Sequence, residues 1–116
     1  MIRALFLLTA LAACSQDWKA VEEETMRHFQ TLLRFNTSDP GGKELPAAEY
    51  LKQVLEAEGI EVKVFAVNKD RPNVVARLKG NGSKKPLLIL AHTDVVPVQR
   101  EKWPVDPFGA VMKDGY

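Results

Sequence analysis

The sequence predicts an α/β fold in which helices flank a mixed β-sheet. Two segments with apolar residues at helical spacing are followed by two short segments of strand type. A third strand pattern, residues 87–91 (LLILA), is an uninterrupted apolar run. Two helices followed by three strands are typical of a sheet covered by helices. The 116 residues, 46% apolar and 27% charged, suffice for one domain and exclude a chain that is disordered throughout.

The first helix is predicted over residues 18–35, where apolar side chains recur on one face and Asp17 is a suitable N-cap. Residues 36–42 (NTSDPGG) have the composition of a loop. The second helix is predicted to begin near Pro46 and to end at Gly59, since proline suits the first turn and glycine the terminus.

Strands follow the helices. Residues 60–67 and 73–79 have the patterns of strands, and we expect them to pair as a hairpin. The apolar run at residues 87–91 predicts a strand that is buried on both faces. Residues 110–113 predict another strand, and Asp114-Gly115 is a favoured two-residue hairpin turn. The sequence stops at Tyr116, one residue into the expected return strand, which favours a truncated chain.

The amino terminus predicts export. Arg3 precedes ten apolar or small residues, which are too few to cross a bilayer but suit a signal peptide over residues 1–13. The one cysteine, Cys14, completes a Leu-Ala-Ala-Cys tetrad that resembles the bacterial lipobox. We therefore expect a lipidated Cys14 that anchors the protein in the bacterial cell envelope, a short linker over residues 14–17 and a domain over residues 18–116. The alternative is a soluble periplasmic or secreted protein, cleaved near Ala13.

The candidate site lies at the end of the apolar run. Side chains at positions i and i+2 of a strand leave the same face, so His92 and Asp94 can address one point. A metal-bound imidazole is usually oriented by a carboxylate or carbonyl, which makes the pair a candidate metal site. The alternative is a structural hydrogen bond.

The other candidate residues have simpler interpretations. His28 is interpreted as a partly exposed helical histidine and residues 22–24 (EEE) as a solvated helix start. The net charge of +1, with no basic face, does not indicate a nucleic-acid partner.

Three segments resemble the aminoacylase and carboxypeptidase-S family of zinc metallopeptidases, whose relatives include succinyl-diaminopimelate desuccinylase and the aminotripeptidases. The resemblance is carried by residues 88–97 (LILAHTDVVP), 103–108 (WPVDPF) and 113–116 (KDGY). It extends more loosely to residues 49–51 and 71–74.

The resemblance implies the amino-terminal part of a two-zinc, exopeptidase-like catalytic domain that cleaves a peptide or N-acyl amino acid. It implies that His92 is a ligand of one of two zinc ions and that Asp94 orients this histidine and counts as catalytic. The remaining ligands and the general base would lie downstream, so the chain alone is expected to be inactive and to bind zinc weakly. The resemblance also leaves open a homodimer of the complete protein. Residues 106–108 resemble a family element near the mouth of the active site; the alternative, which we favour, is a loop anchored by Trp103 and Phe108.

A non-catalytic interpretation is also open. The chain could be a lipid-anchored envelope module that retains part of the peptidase scaffold as a binding domain.

Overall fold

The computed structural model describes residues 16–41 and 43–116, so the predicted signal peptide and Cys14 lie outside the described residues. Within them the chain forms two α-helices, a two-stranded antiparallel sheet and one short 3-10 helix. None of the described helices is long and apolar enough to cross a membrane. The elements are α1 (Trp18–Leu33), α2 (Leu45–Ala57), β1 (Val62–Phe65) and β2 (Asn73–Ala76), with the 3-10 helix at Arg100–Lys102.

Helix α1 begins at the predicted cap. The Asp17 carboxylate accepts hydrogen bonds from the backbone N–H groups of Lys19 and Ala20, both at 3.1 Å, which satisfies two donors that the helix itself cannot pair. No residue of α1 is buried. His28 Nδ1 lies 2.5 Å from Tyr50 Oη of α2, so the partly exposed histidine joins the two helices.

Helix α2 packs against both strands and has the predicted ends. Pro46 lies in its first turn. Gly59 lies one residue beyond the C-cap Glu58 and has a φ of +73°, a conformation that glycine adopts without strain. Ala47 and Ala48 of this helix are the buried hydrophobic residues of the described chain. The small apolar core is therefore at the amino end of α2.

Strands β1 and β2 form the predicted hairpin. They pair antiparallel, with Val62 opposite Ala76 and Phe65 opposite Asn73. The turn between them is attached to α2, because Asp70 O accepts hydrogen bonds from the N–H groups of Glu44 and Leu45, both at 3.1 Å. β2 ends at Ala76, three residues before the predicted end.

The prediction of a buried strand at residues 87–91 is wrong for the structure described. These residues form no strand, and the side chains of Leu87, Leu88, Ile89 and Leu90 are 83–87% exposed. A strand needs hydrogen-bonding neighbours, and within the described residues β2 pairs only with β1. The expected mixed sheet is therefore replaced by a two-stranded antiparallel sheet, with one isolated parallel bridge between Ser38 and Val95.

The carboxyl-terminal turn is present, whereas the strand before it is not. Asp114 and Gly115 have φ values of +53° and +86°, and Lys113 and Tyr116 exchange both backbone hydrogen bonds, at 2.8 and 2.9 Å. Positive φ at both central residues defines the hairpin turn predicted for Asp-Gly. Residues 110–113 are not in a strand.

Candidate functional site

The segment that carries His92 and Asp94 is fixed by the loop that follows α1. Thr37 Oγ1 donates a hydrogen bond to Thr93 O at 2.6 Å, and Val95 N donates to Thr37 O at 3.2 Å. Asp39 N then donates to Val95 O at 3.0 Å. The backbone is thus held on both sides of Asp94 although it belongs to no sheet.

The loop is shaped by its own polar side chains. Asn36 Oδ1 accepts hydrogen bonds from Ser38 N and Ser38 Oγ, at 3.1 and 2.6 Å, in an Asx-type turn. Thr37 and Ser38 are buried, with 5% and 9% of their surface exposed. The NTSDPGG sequence therefore does more than connect two helices, because it positions the candidate site.

His92 and Asp94 lie together, as their spacing predicts. His92 Nδ1 is 2.9 Å from Asp94 O and 3.1 Å from Asp94 Oδ1. A carbonyl and an ionised carboxylate can only accept hydrogen bonds, so Nδ1 must carry the proton that it donates. In the neutral imidazole, Nε2 then has the free lone pair. The His92 side chain is 82% exposed, which leaves it open to a ligand.

Asp94 also faces a cation that the sequence analysis did not identify. Arg71 Nη2 lies 4.0 Å from Asp94 Oδ2, an ion-pair distance. The same guanidinium donates from Nε and Nη2 to Glu44 Oε1, at 2.9 and 2.8 Å, and from Nη1 to Asp39 Oδ2 at 3.1 Å. The hydrogen bond to Glu44, followed by the charges of Asp39 and Glu44, raises the pKa of Arg71 above its ordinary value. Arg71 therefore stays charged among three carboxylates.

The sequence contains only a weak signal for this cluster. Glu44 directly precedes α2, and Arg71 lies in the turn before β2, but the two residues are 27 positions apart. Neither forms a pattern with His92. The cluster exists because the turn attaches to the start of α2, which is a tertiary contact.

The described residues do not make a complete metal centre. Among them, no group of three or more His, Cys, Asp or Glu side chains is placed to hold a metal ion. The exposed Nε2 of His92 suits one position of such a centre, while Asp94 is engaged with His92 and Arg71. The donor set thus fits one ligand with its orienting carboxylate.

A second loop near the carboxyl end is organised by Asp106. Its carboxylate accepts hydrogen bonds from Arg100 and from the Phe108 N–H, the latter at 3.1 Å, and its carbonyl accepts one from Gly109 N at 3.0 Å. Trp103 is 48% exposed. The hydrogen bonds of Asp106 help define the shape of this loop, and the anchoring role of Trp103 and Phe108 stays a prediction.

No protein-family model and no solved structure matches the chain. Curated proteins do match. The chain is 35% identical over 98 residues to N-formyl-4-amino-5-aminomethyl-2-methylpyrimidine deformylase of Halalkalibacterium halodurans, a match that covers 81% of this chain and 23% of that protein. It is 32% identical over 96 residues to a probable succinyl-diaminopimelate desuccinylase of Staphylococcus epidermidis, covering 81% and 22%.

An uncharacterised metallohydrolase of Methanocaldococcus jannaschii is 32% identical over 108 residues, covering 80% of this chain and 26% of that protein. The chain spans about a quarter of the length of the curated relatives it matches.

We predict that the chain binds zinc weakly, because the described residues offer a single exposed imidazole. Titration calorimetry of residues 16–116 with Zn²⁺ should show no tight 1:1 complex, and His92→Ala should remove most of the weak binding that remains. His28→Ala is the matched control, because it alters the other histidine. Affinity in the range of structural zinc sites, about 10–16 kcal/mol, would contradict the prediction.

We predict that the Asp106 loop loosens only in acid. Arg100, followed by the Phe108 N–H, lowers the pKa of Asp106 below its ordinary value of 3.8. The ionised form is favoured in the folded loop, so the interaction is complete above pH 3.8 and is lost as the pH falls through the lower folded value. The Phe108 amide resonance should move with a midpoint below 3.8 and should show no such transition in Asp106→Asn. A midpoint at or above 3.8 would exclude this loop geometry in solution.

Proposed function

We propose that the protein belongs to the metallohydrolases that include the succinyl-diaminopimelate desuccinylases, and that it is a zinc-dependent hydrolase that cleaves the amide bond of a peptide or N-acyl amino acid. The observation that carries the proposal is the His92–Asp94 pair, in which the Nδ1 proton is held and the exposed side chain leaves Nε2 available. In this proposal His92 is a metal ligand, and Asp94 is the carboxylate that orients it.

Each residue of the pair has a defined task. The backbone and side-chain oxygens of Asp94 hold the proton on Nδ1, which fixes both the tautomer and the ring orientation. In this neutral tautomer, the lone pair of Nε2 is available to a metal ion. When bound, the metal supplies Lewis-acid polarisation of a carbonyl and activation of a water molecule. The remaining ligands and the general base are assigned to parts of the protein other than the described residues, which contain no complete set.

The names of the relatives support the proposed substrate class. A deformylase and a desuccinylase are each named for the removal of an acyl group. Their shared chemistry is an acylated amine, which matches a peptide or an N-acyl amino acid. We propose this class for the present protein.

We also propose that the protein is exported and anchored through a lipidated Cys14. The support is the sequence of residues 1–14, a signal-peptide pattern that ends in Leu-Ala-Ala-Cys. Cells grown with labelled palmitate should incorporate label into the wild-type protein, and Cys14→Ser should abolish the incorporation. Labelling that persists in the variant would refute the anchor at this position.

The hydrolase proposal is tested with the full-length protein, Zn²⁺ and a panel of N-formyl, N-acetyl and N-succinyl amino acids and dipeptides. We expect release of free amine from at least one acyl class. Asp94→Asn should lower the activity about 10–100-fold, because it removes the carboxylate that orients a ligand. His92→Ala should lower it further, because the ligand itself is lost.

His28→Ala is the control here as well. His28 is a residue of α1 that contacts Tyr50 of α2, and its hydrogen bonds do not include His92 or Asp94. A folded full-length protein that hydrolyses no member of the panel would favour the non-catalytic envelope module. Activity that survives His92→Ala would remove His92 from the site.

A further inference from the structure

We propose that Arg71 is a positioning residue of the candidate site, which holds Asp94 through Oδ2 so that Oδ1 stays directed at His92 Nδ1. The proposal rests on the function proposed above, because it assigns a task within that site. It concerns geometry that can be measured without any hydrolysis.

Hydrogen bonds of the turn hold the backbone of Arg71, independently of its side-chain contacts. Asn68 Oδ1 accepts from Asp70 N at 3.0 Å, and Asn68 O accepts from Arg71 N at 3.0 Å. Asp70 O is held by the two N–H groups at the start of α2. The guanidinium therefore projects from the junction between the first turn of α2 and the beginning of β2.

The guanidinium itself is held by two carboxylates. Glu44 Oε1 accepts from both Nε and Nη2, while Asp39 Oδ2 accepts from Nη1. Arginine suits this task because its donors lie in one rigid plane, so two attachments fix the direction of the whole group. The Glu44 side chain is only 8% exposed, and its Oε2 atom has no hydrogen-bond partner among the described residues. Arg71 is the cation that lies against this buried charge.

The arrangement assigns each oxygen of Asp94 to one partner. Oδ1 lies 3.1 Å from His92 Nδ1, and Oδ2 lies 4.0 Å from Arg71 Nη2. The Asp94 side chain is 46% exposed, so without the second partner it could rotate toward solvent. Rotation of the carboxylate would weaken the hydrogen bond to His92, the ion pair with Arg71, or both. Arg71 thus links the start of α2 to the orientation of the candidate ligand.

The test reads the tautomer of His92 by long-range ¹H–¹⁵N NMR of the full-length protein without metal, at about pH 8.5, where an ordinary imidazole is neutral. Wild-type His92 should be protonated at Nδ1. Arg71→Gln should lose this preference, because Asp94 Oδ2 has no cation to hold it. Arg71→Lys, which keeps the charge but not the planar fork, should retain part of it. Arg77→Gln is the control, since Arg77 is exposed and makes no ion pair within the described residues.

A purely structural role for Arg71 makes a different prediction. If Arg71 only neutralises Glu44, the double variant Glu44→Gln/Arg71→Gln removes both charges and should restore the wild-type tautomer. Under our proposal this variant folds but still lacks the Nδ1–H preference. If Arg71→Gln alone does not fold, the tautomer of His92 in this double variant still distinguishes the two roles. A folded variant without Arg71 that keeps the wild-type tautomer would overturn the proposal.

A kinetic measurement on the full-length enzyme complements the NMR. Arg71→Gln should lower kcat about 10–100-fold with KM unchanged, because it disturbs the ligand and not the substrate. A rise in KM alone would contradict the assigned role. The hydrolase proposal fails separately, if the wild-type protein hydrolyses no substrate of the panel. That result would leave the tautomer measurement unaffected.

Discussion

The described structure depends on one constraint, the burial of the Glu44 carboxylate at the start of α2. A buried charge must have a counter-charge and hydrogen bonds, or it is very costly to remove from water. Arg71 supplies both from the turn between the strands. The contact fixes the turn against the helix, brings Asp39 and the loop after α1 to the same guanidinium, and places a cation beside Asp94.

This polar centre is unusual because little apolar surface supports it. The buried residues of the described chain are two alanines and three polar residues: Ala47, Ala48, Thr37, Ser38 and Glu44. Four large apolar residues at positions 87–90 are exposed instead. Burying one such side chain would contribute about 1.5–3 kcal/mol, so this run is a surface with a strong tendency to be covered. Hydrogen bonds and ion pairs, more than a hydrophobic core, hold the segment of His92 in place.

The site and the family similarity support each other from different directions. Similarity to curated proteins links the chain to metallohydrolases without locating any atom. The geometry locates an imidazole whose tautomer is determined by two acceptors, without identifying a reaction. The proposal for His92 draws on both, because a metal ligand needs a ring that is exposed and an Nδ1 that is constrained.

The sequence by itself determined the local elements, because caps, periodicity and turn chemistry act over a few residues. Asp17, Pro46, Gly59 and Asp114-Gly115 all lie where their patterns place them, and the spacing of His92 and Asp94 brings the two side chains together. The state of residues 87–91 was not decided locally, since an apolar run becomes a strand only if a neighbouring strand pairs with it. The tertiary structure alone decided the role of Arg71. Its partners Asp39 and Glu44 lie 32 and 27 residues away, and only the attachment of the hairpin turn to α2 brings those charges to the candidate site.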